Sequence, residues 1–198
     1  MEKAYDHINW DFLLYMLSRC GFGERWRKWM RHCMSTARFS VLVNGDPVGF
    51  FNNLWGLQQG DSLSPLLFVI IMKALSRMMS AAVEGGFFSR FSVENINISH
   101  LLFANDTLLF CEANVGHIQS LKAILLCFEA VSSLKINLAE TEMVAVGEVR
   151  NIRGLANILG CAVSLLLLKY LGLSLGATFK AKAIWEEVME KLENRLAG

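Results

Sequence analysis

Between Ser64 and Val83 the chain reads SPLLFVIIMKALSRMMSAAV, and no other stretch restricts its fold as strongly. A serine followed by a first-turn proline is a good helix start: the hydroxyl can cap free amides, and proline gives up an N–H that has no partner there anyway. Glu84-Gly85-Gly86 ends the pattern. Only Lys73 and Arg77 interrupt the apolar character, so the segment predicts a long helix buried on most sides, around which the other elements must pack. A chain of 198 residues can build one such core as a single domain. Its 54% hydrophobic content exceeds what that core requires, so the surplus is expected to face neighbouring segments rather than lipid. The longest uncharged run, Gly154 to Leu168, is broken by Asn157, Gly160 and Ser164. It falls short of the ~18 to 20 apolar residues that span a bilayer, so no membrane partner is expected.

The remaining patterns are mixed. Helices are expected over Asn9–Cys20, closed by Gly21, over Glu24 to about Met34, and over Val115–Ser132. ARFSVLVNGDPVGFF reads as a β-hairpin turning at Asn44-Gly45. Further strands are expected over Phe87–Val93, Ile96–Phe103, Thr107–Glu112 and Thr141–Val146, with a short extended piece over Lys169–Leu175 and a last helix over Lys180–Leu196. Antiparallel strands with helices grouped on one face make an α+β domain.

The formal net charge of +1 gives no global field to steer nucleic acid, so any such binding must use local patches. One candidate is ERWRKWMRH, where Arg25, Arg27, Lys28 and Arg31 share a helix with Trp26 and Trp29. It reads either as a basic surface for a phosphate backbone or, the favoured reading, as an amphipathic helix with both tryptophans inward and the cations in water. Lys180, Lys182, Lys191 and Arg195 read as a solvated face. The five cysteines have no CxxC spacing, and His7, His32, His100 and His117 form no cluster at ligand spacing; buried, reduced thiols of an intracellular protein are expected. Met72, Met78 and Met79 suit core filling. No signal-peptide pattern opens the sequence, and both ends read as cut within structured segments.

Three short strings could carry chemistry. In LQQGDSLSP, Leu57 to Pro65, a glycine that allows close backbone approach runs into a helix start with free amides; taken alone, an ordinary loop and cap is the favoured reading. In EKAYD, Asp6 could simply favour a helix start. In LLFANDTLLF, two apolar runs flank Asn105 and Asp106, as in a hairpin with a polar tip. Two acids at such a tip could bridge magnesium ions for nucleotidyl transfer, and Asp106 suits that role, whereas the Asn105 amide brings no charge. Asn and Asp also serve ordinary turns, because both tolerate left-handed backbone.

The five strings EKAYD, LQQGDSLSP, LLFANDTLLF, LKINLAETEMVAVG and KYLGLSLGA, in that order, together resemble the palm of LINE-type (non-LTR) retrotransposon reverse transcriptases, the plant branch most closely. The resemblance covers nearly the whole chain. It implies a polymerase palm at 1–177, with a small antiparallel sheet backed by helices, and the start of a thumb-like helical segment at 178–198. Fingers and most of the thumb are expected to be missing, with flanking polymerase subdomains as partners. It also implies Mg2+ as cofactor, and RNA template, DNA primer and deoxynucleotides as ligands.

Residue by residue, the resemblance makes Tyr5 the aromatic beneath the sugar and Asp6 a structural acid, and sets the family's leading metal-binding Asp just before Met1. Gln59 and Gly60 would lie against the incoming nucleotide, with Gln58 in place of the usual Arg and Ser62 in place of a Pro. Asn105 takes the place of the first acid of the catalytic pair, leaving Asp106 as the metal-binding acid. Glu140 stands where the family carries a Lys that helps protonate pyrophosphate. Tyr170, Leu171 and Gly172 match the primer grip, and Ser174 replaces a Pro. Each loss costs on the order of 100-fold in rate or more, so the chain is expected not to polymerise. The alternatives are a non-catalytic nucleic-acid-binding or protein-interaction module built from the palm, and a pseudogene product that does not fold stably.

Overall fold

The computed structural model describes residues 4–52, 55–57, 60–93, 96–103, 106–165, 169–170, 173–174, 189 and 193. The chain divides into two compact units, Met1–Asn137 and Leu138–Gly198.

In the first unit a short 3-10 turn, Ala4–His7, leads into α1 (Trp10–Arg19). Asn9 caps α1, its side-chain oxygen accepting from the amides of Asp11 and Phe12. Its own N–H donates to the Ser132 carbonyl at 3.0 Å, which ties the start of α1 to the end of α4 (Val115–Ser132). α2 (Glu24–Thr36) packs on α1. The apolar segment forms α3 (Ser64–Glu84), which packs against α1 and α4. Leu67, Phe68, Ile71, Leu75 and Met79 of α3 are all but inaccessible, as are Leu13 and Leu17 of α1 and Phe128 of α4. Each such side chain contributes about 1.5–3 kcal/mol by leaving water, so this helical layer holds the unit together. Met72 also lies in the core, whereas Met78 is half-buried. α3 begins one residue earlier than a Ser64 cap requires: Leu63 is the cap residue, Ser64 is the first helical residue, and its hydroxyl donates to Asp61 at 3.1 Å.

The strands pair locally. β1 (Arg38–Val43) and β2 (Asp46–Asn52) form the expected hairpin, with Asn44 and Gly45 both at positive φ, as a two-residue turn of this hand requires. β3 (Phe91–Val93) pairs with β4 (Ile96–Ile98), and β5 (His100–Phe103) with β6 (Asp106–Leu109). The strand expected over Ile96–Phe103 therefore breaks at Ser99. Its two halves turn to different partners, and the Ser99 carbonyl accepts from the amide of Phe110 at 2.8 Å. The strand expected from Phe87 starts only at Phe91: the Phe87 amide is still spent on the Ala82 carbonyl at the end of α3, at 2.9 Å, and Phe88 is buried in the core.

The second unit holds β7 (Glu142–Val144), α5 (Ile152–Leu159) and β8 (Ala162–Ser164), and β7 and β8 pair in parallel. α5 falls in a stretch that the sequence pattern left unassigned. Gly154 inside it weakens the helix signal, although Gly160 closes it in the left-handed conformation (φ +93). β9 (Lys169–Tyr170) and β10 (Leu173–Ser174) are antiparallel, so the expected extended piece is a tight hairpin. Of the expected last helix only Met189 and Glu193 are described, both helical; its lysines, Arg195 and the expected boundary at 177 lie outside the described residues.

The architecture is α+β, with five separate two-stranded sheets among the described residues in place of one small sheet. Two further expectations change. α3 and α4 are each long and apolar enough to cross a membrane by length and composition; scattered charges such as Lys73 shorten the uncharged runs without making the helices polar. α3 nevertheless commits nine residues to the core. The cysteines are free, but Cys20, Cys33 and Cys127 are exposed on the helical layer, so burial holds only in part and only for Cys111 and Cys161, where desolvation pushes the thiols up.

Candidate functional site

Two of the ordered strings are bound together by backbone. The amide of Leu57 donates to the Tyr5 carbonyl at 2.6 Å and the amide of Gly56 to the Ile8 carbonyl at 3.1 Å. The Trp10 indole N–H closes the clamp by donating to the Gly56 carbonyl at 2.7 Å. Gly56 is required here: its φ is +77°, and a Cβ would stand 2.5 Å from the Tyr5 carbonyl oxygen. The Tyr5 ring packs on Phe68 in the first turns of α3, with centroids 5.2 Å apart. Tyr5 is thus fixed between the root of the glycine loop and the start of α3. Gly60 is exposed at φ +88°, with open space around its Cβ position, so a ligand can reach its backbone. Gln58 and Gln59 lie outside the described residues. Neither Gly56 nor Trp10 drew notice in the sequence; the signal was a glycine between bulky residues ahead of the loop.

The second element is the β5–β6 hairpin. Phe103 pairs with Asp106, so the expected tip of Asn105 and Asp106 shifts by one residue: Asp106 is the first residue of β6, and Ala104 and Asn105 lie outside the described residues. Asp106 is exposed at the start of β6. The hairpin is pinned to α3 through His100, whose Nε2 is 2.8 Å from the Ser76 hydroxyl and whose Nδ1 is 2.9 Å from that of Ser99. A neutral imidazole satisfies both hydroxyls by donating to one and accepting from the other. Burial holds its pKa below the ordinary histidine value.

The other expected site residues belong to the second unit. Glu140 is exposed in the turn before β7, where the Thr141 amide donates to the Leu138 carbonyl at 3.3 Å. Tyr170 of β9 pairs with Leu173 of β10, and Leu171 and Gly172 lie outside the described residues.

The donor chemistry does not fit a two-magnesium centre. Among the described residues no three His, Cys, Asp or Glu side chains gather, and the hairpin offers one carboxylate, Asp106, next in sequence to the amide Asn105. Magnesium requires several hard, charged oxygens, which this donor set does not supply.

The tryptophans of α2 do not both turn inward. Trp26 is half-buried and packs on Phe22, with ring centroids 4.6 Å apart, but Trp29 is 56% exposed.

A glycine loop docked at the head of a buried helix is thus followed in the chain by a hairpin whose second strand opens on Asp106. The family model for reverse transcriptase (RNA-dependent DNA polymerase) matches residues 1–175, and the chain belongs to that family. It is also 43% identical over 68 residues to an uncharacterized mitochondrial protein of Arabidopsis thaliana; the match covers 33% of this chain and 56% of that protein. The chain therefore spans little more than half the length of that relative.

Proposed function

We propose that this chain is a palm of the LINE-type, plant-like branch of the reverse transcriptases that holds template and primer without extending them. The observation that carries the reading is the clamp that joins the Tyr5 turn to Gly56 and Leu57: Tyr5 is held by the Leu57 amide, and the Gly60 backbone three residues further on is open to a ligand. The parts that would do chemistry have changed type. Asn105 removes a carboxylate where magnesium would need one, and Glu140 puts an acid where the family's lysine would meet pyrophosphate. Gln58 in place of an arginine weakens grip on triphosphate, because an amide cannot reproduce a charged, forked donor. Asp106 remains the best candidate for any residual cation contact, and Tyr170, Leu171 and Gly172 for contact with the primer end.

Fluorescence anisotropy with a labelled RNA–DNA hybrid tests the retained half of this reading. Binding that weakens with rising salt, and weakens again in Gly60→Val, supports it. Equal binding by the native chain and Gly60→Val removes the loop from the interface.

A further inference from the structure

The outward face of α2 is not explained by the palm. Met30 and Met34 point into the core and Trp26 packs on Phe22, so the stripe on the opposite side, Arg25, Lys28, Trp29 and His32, faces solvent. Tryptophan is rarely left this open on a surface helix, and its large apolar area makes exposure costly. The indole is not simply stranded: the Arg25 guanidinium lies over its ring, 4.8 Å from the centroid, while 56% of the residue stays accessible. α2 carries four cations against the single acid Glu24, whereas the whole chain nets only +1. Two of those cations have carboxylate partners, Lys28 with Glu24 at 2.7 Å and Arg31 with Asp11 of α1. All four of these side chains are more than half exposed, and such pairs contribute little, so exchanging a carboxylate for a phosphate is inexpensive.

We propose that this face of α2 binds single-stranded polynucleotide, with Trp29 stacking on an unpaired base and Arg25 and Lys28 meeting the flanking phosphates. Aromatic stacking beside cations is the sequence-tolerant way to hold single strands, and a paired duplex offers no free base face. A lipid surface fits less well, because the apolar side of α2 is spent on the core and only one indole remains outside. No residue of this surface belongs to the five ordered strings, so the inference stands apart from the template–primer reading.

The test is anisotropy of a labelled 20-mer oligouridylate with the full chain across a salt series, beside heparin as a polyanion without bases and vesicles of anionic phospholipid. Trp29→Ala should weaken oligouridylate binding about tenfold or more while leaving heparin binding unchanged, and Trp29→Phe should keep most of the affinity. Lys28→Gln should lower the salt slope by about one. A fully paired RNA–DNA hybrid should not displace the oligouridylate, which separates this surface from the template–primer site; displacement by the hybrid would overturn the proposal. Unchanged oligouridylate affinity in Trp29→Ala, an equal loss toward heparin, or Trp29-dependent vesicle binding stronger than RNA binding would each overturn the proposal.

Discussion

At the scale of single residues, the structure turns on contacts that tolerate no replacement. Gly56 combines positive φ with a backbone neighbour where a Cβ would go, so Gly56→Ala must both strain the chain and push the Tyr5 turn away. A loss of at least about 2 kcal/mol in a denaturant melt is expected, and a variant as stable as the native chain would refute the clamp. His100 makes a pH-dependent contribution. Burial disfavours its imidazolium, so the native state binds that proton less readily than the unfolded chain, whose histidine titrates near 6.5. The contribution is complete above that value and is lost as pH falls through the lowered native pKa. The stability difference between the native chain and His100→Gln should therefore shrink between pH 7.5 and pH 5, as read by denaturant melts at each pH; a difference independent of pH would show that His100 does not titrate with folding. Tyr5 and Gly60 could be singled out from the ordered strings, but Gly56, Trp10 and Ser76 could not, because their importance comes from partners distant in sequence.

At the scale of elements, local signals decided most outcomes. Ser64-Pro65 and Glu84-Gly85-Gly86 bracket α3 because a first-turn proline and a glycine chain reversal act at short range, and Asn44-Gly45 marks the β1–β2 turn for the same reason. The break at Ser99 was invisible, since nothing in HLLF or INI says that neighbouring segments turn to different partners. α4 ends at Ser133 in the left-handed conformation (φ +63), which a side chain adopts at a cost. Ser133→Gly should relieve that cost and stabilise the unit by about 0.5 kcal/mol net of the extra freedom of the unfolded chain, visible as a raised thermal midpoint. A lowered midpoint would mean that the serine makes a contact worth more than its strain. The β1–β2 hairpin leaves Val41, Leu42, Val43, Val48 and Phe51 at least half exposed, which accounts for part of the surplus apolar content seen in the composition.

At the scale of the molecule, the ordered strings carried the family and the helical layer carried the fold, while no string could say how the strands would group. The sequence also supplied the decisive chemical fact: residue 105 is an amide. The structure supplies its setting, a two-residue tip closed by Phe103 and Asp106 and pinned to α3 through His100. A turn can keep its shape while losing a charge, because Asn and Asp satisfy the same backbone geometry and differ only in what they offer a cation. The most direct measurement is primer extension on an RNA template with magnesium, run beside anisotropy of the same hybrid. The account predicts that the chain binds the hybrid and adds no nucleotide. Template-dependent extension by the chain as it stands would contradict it.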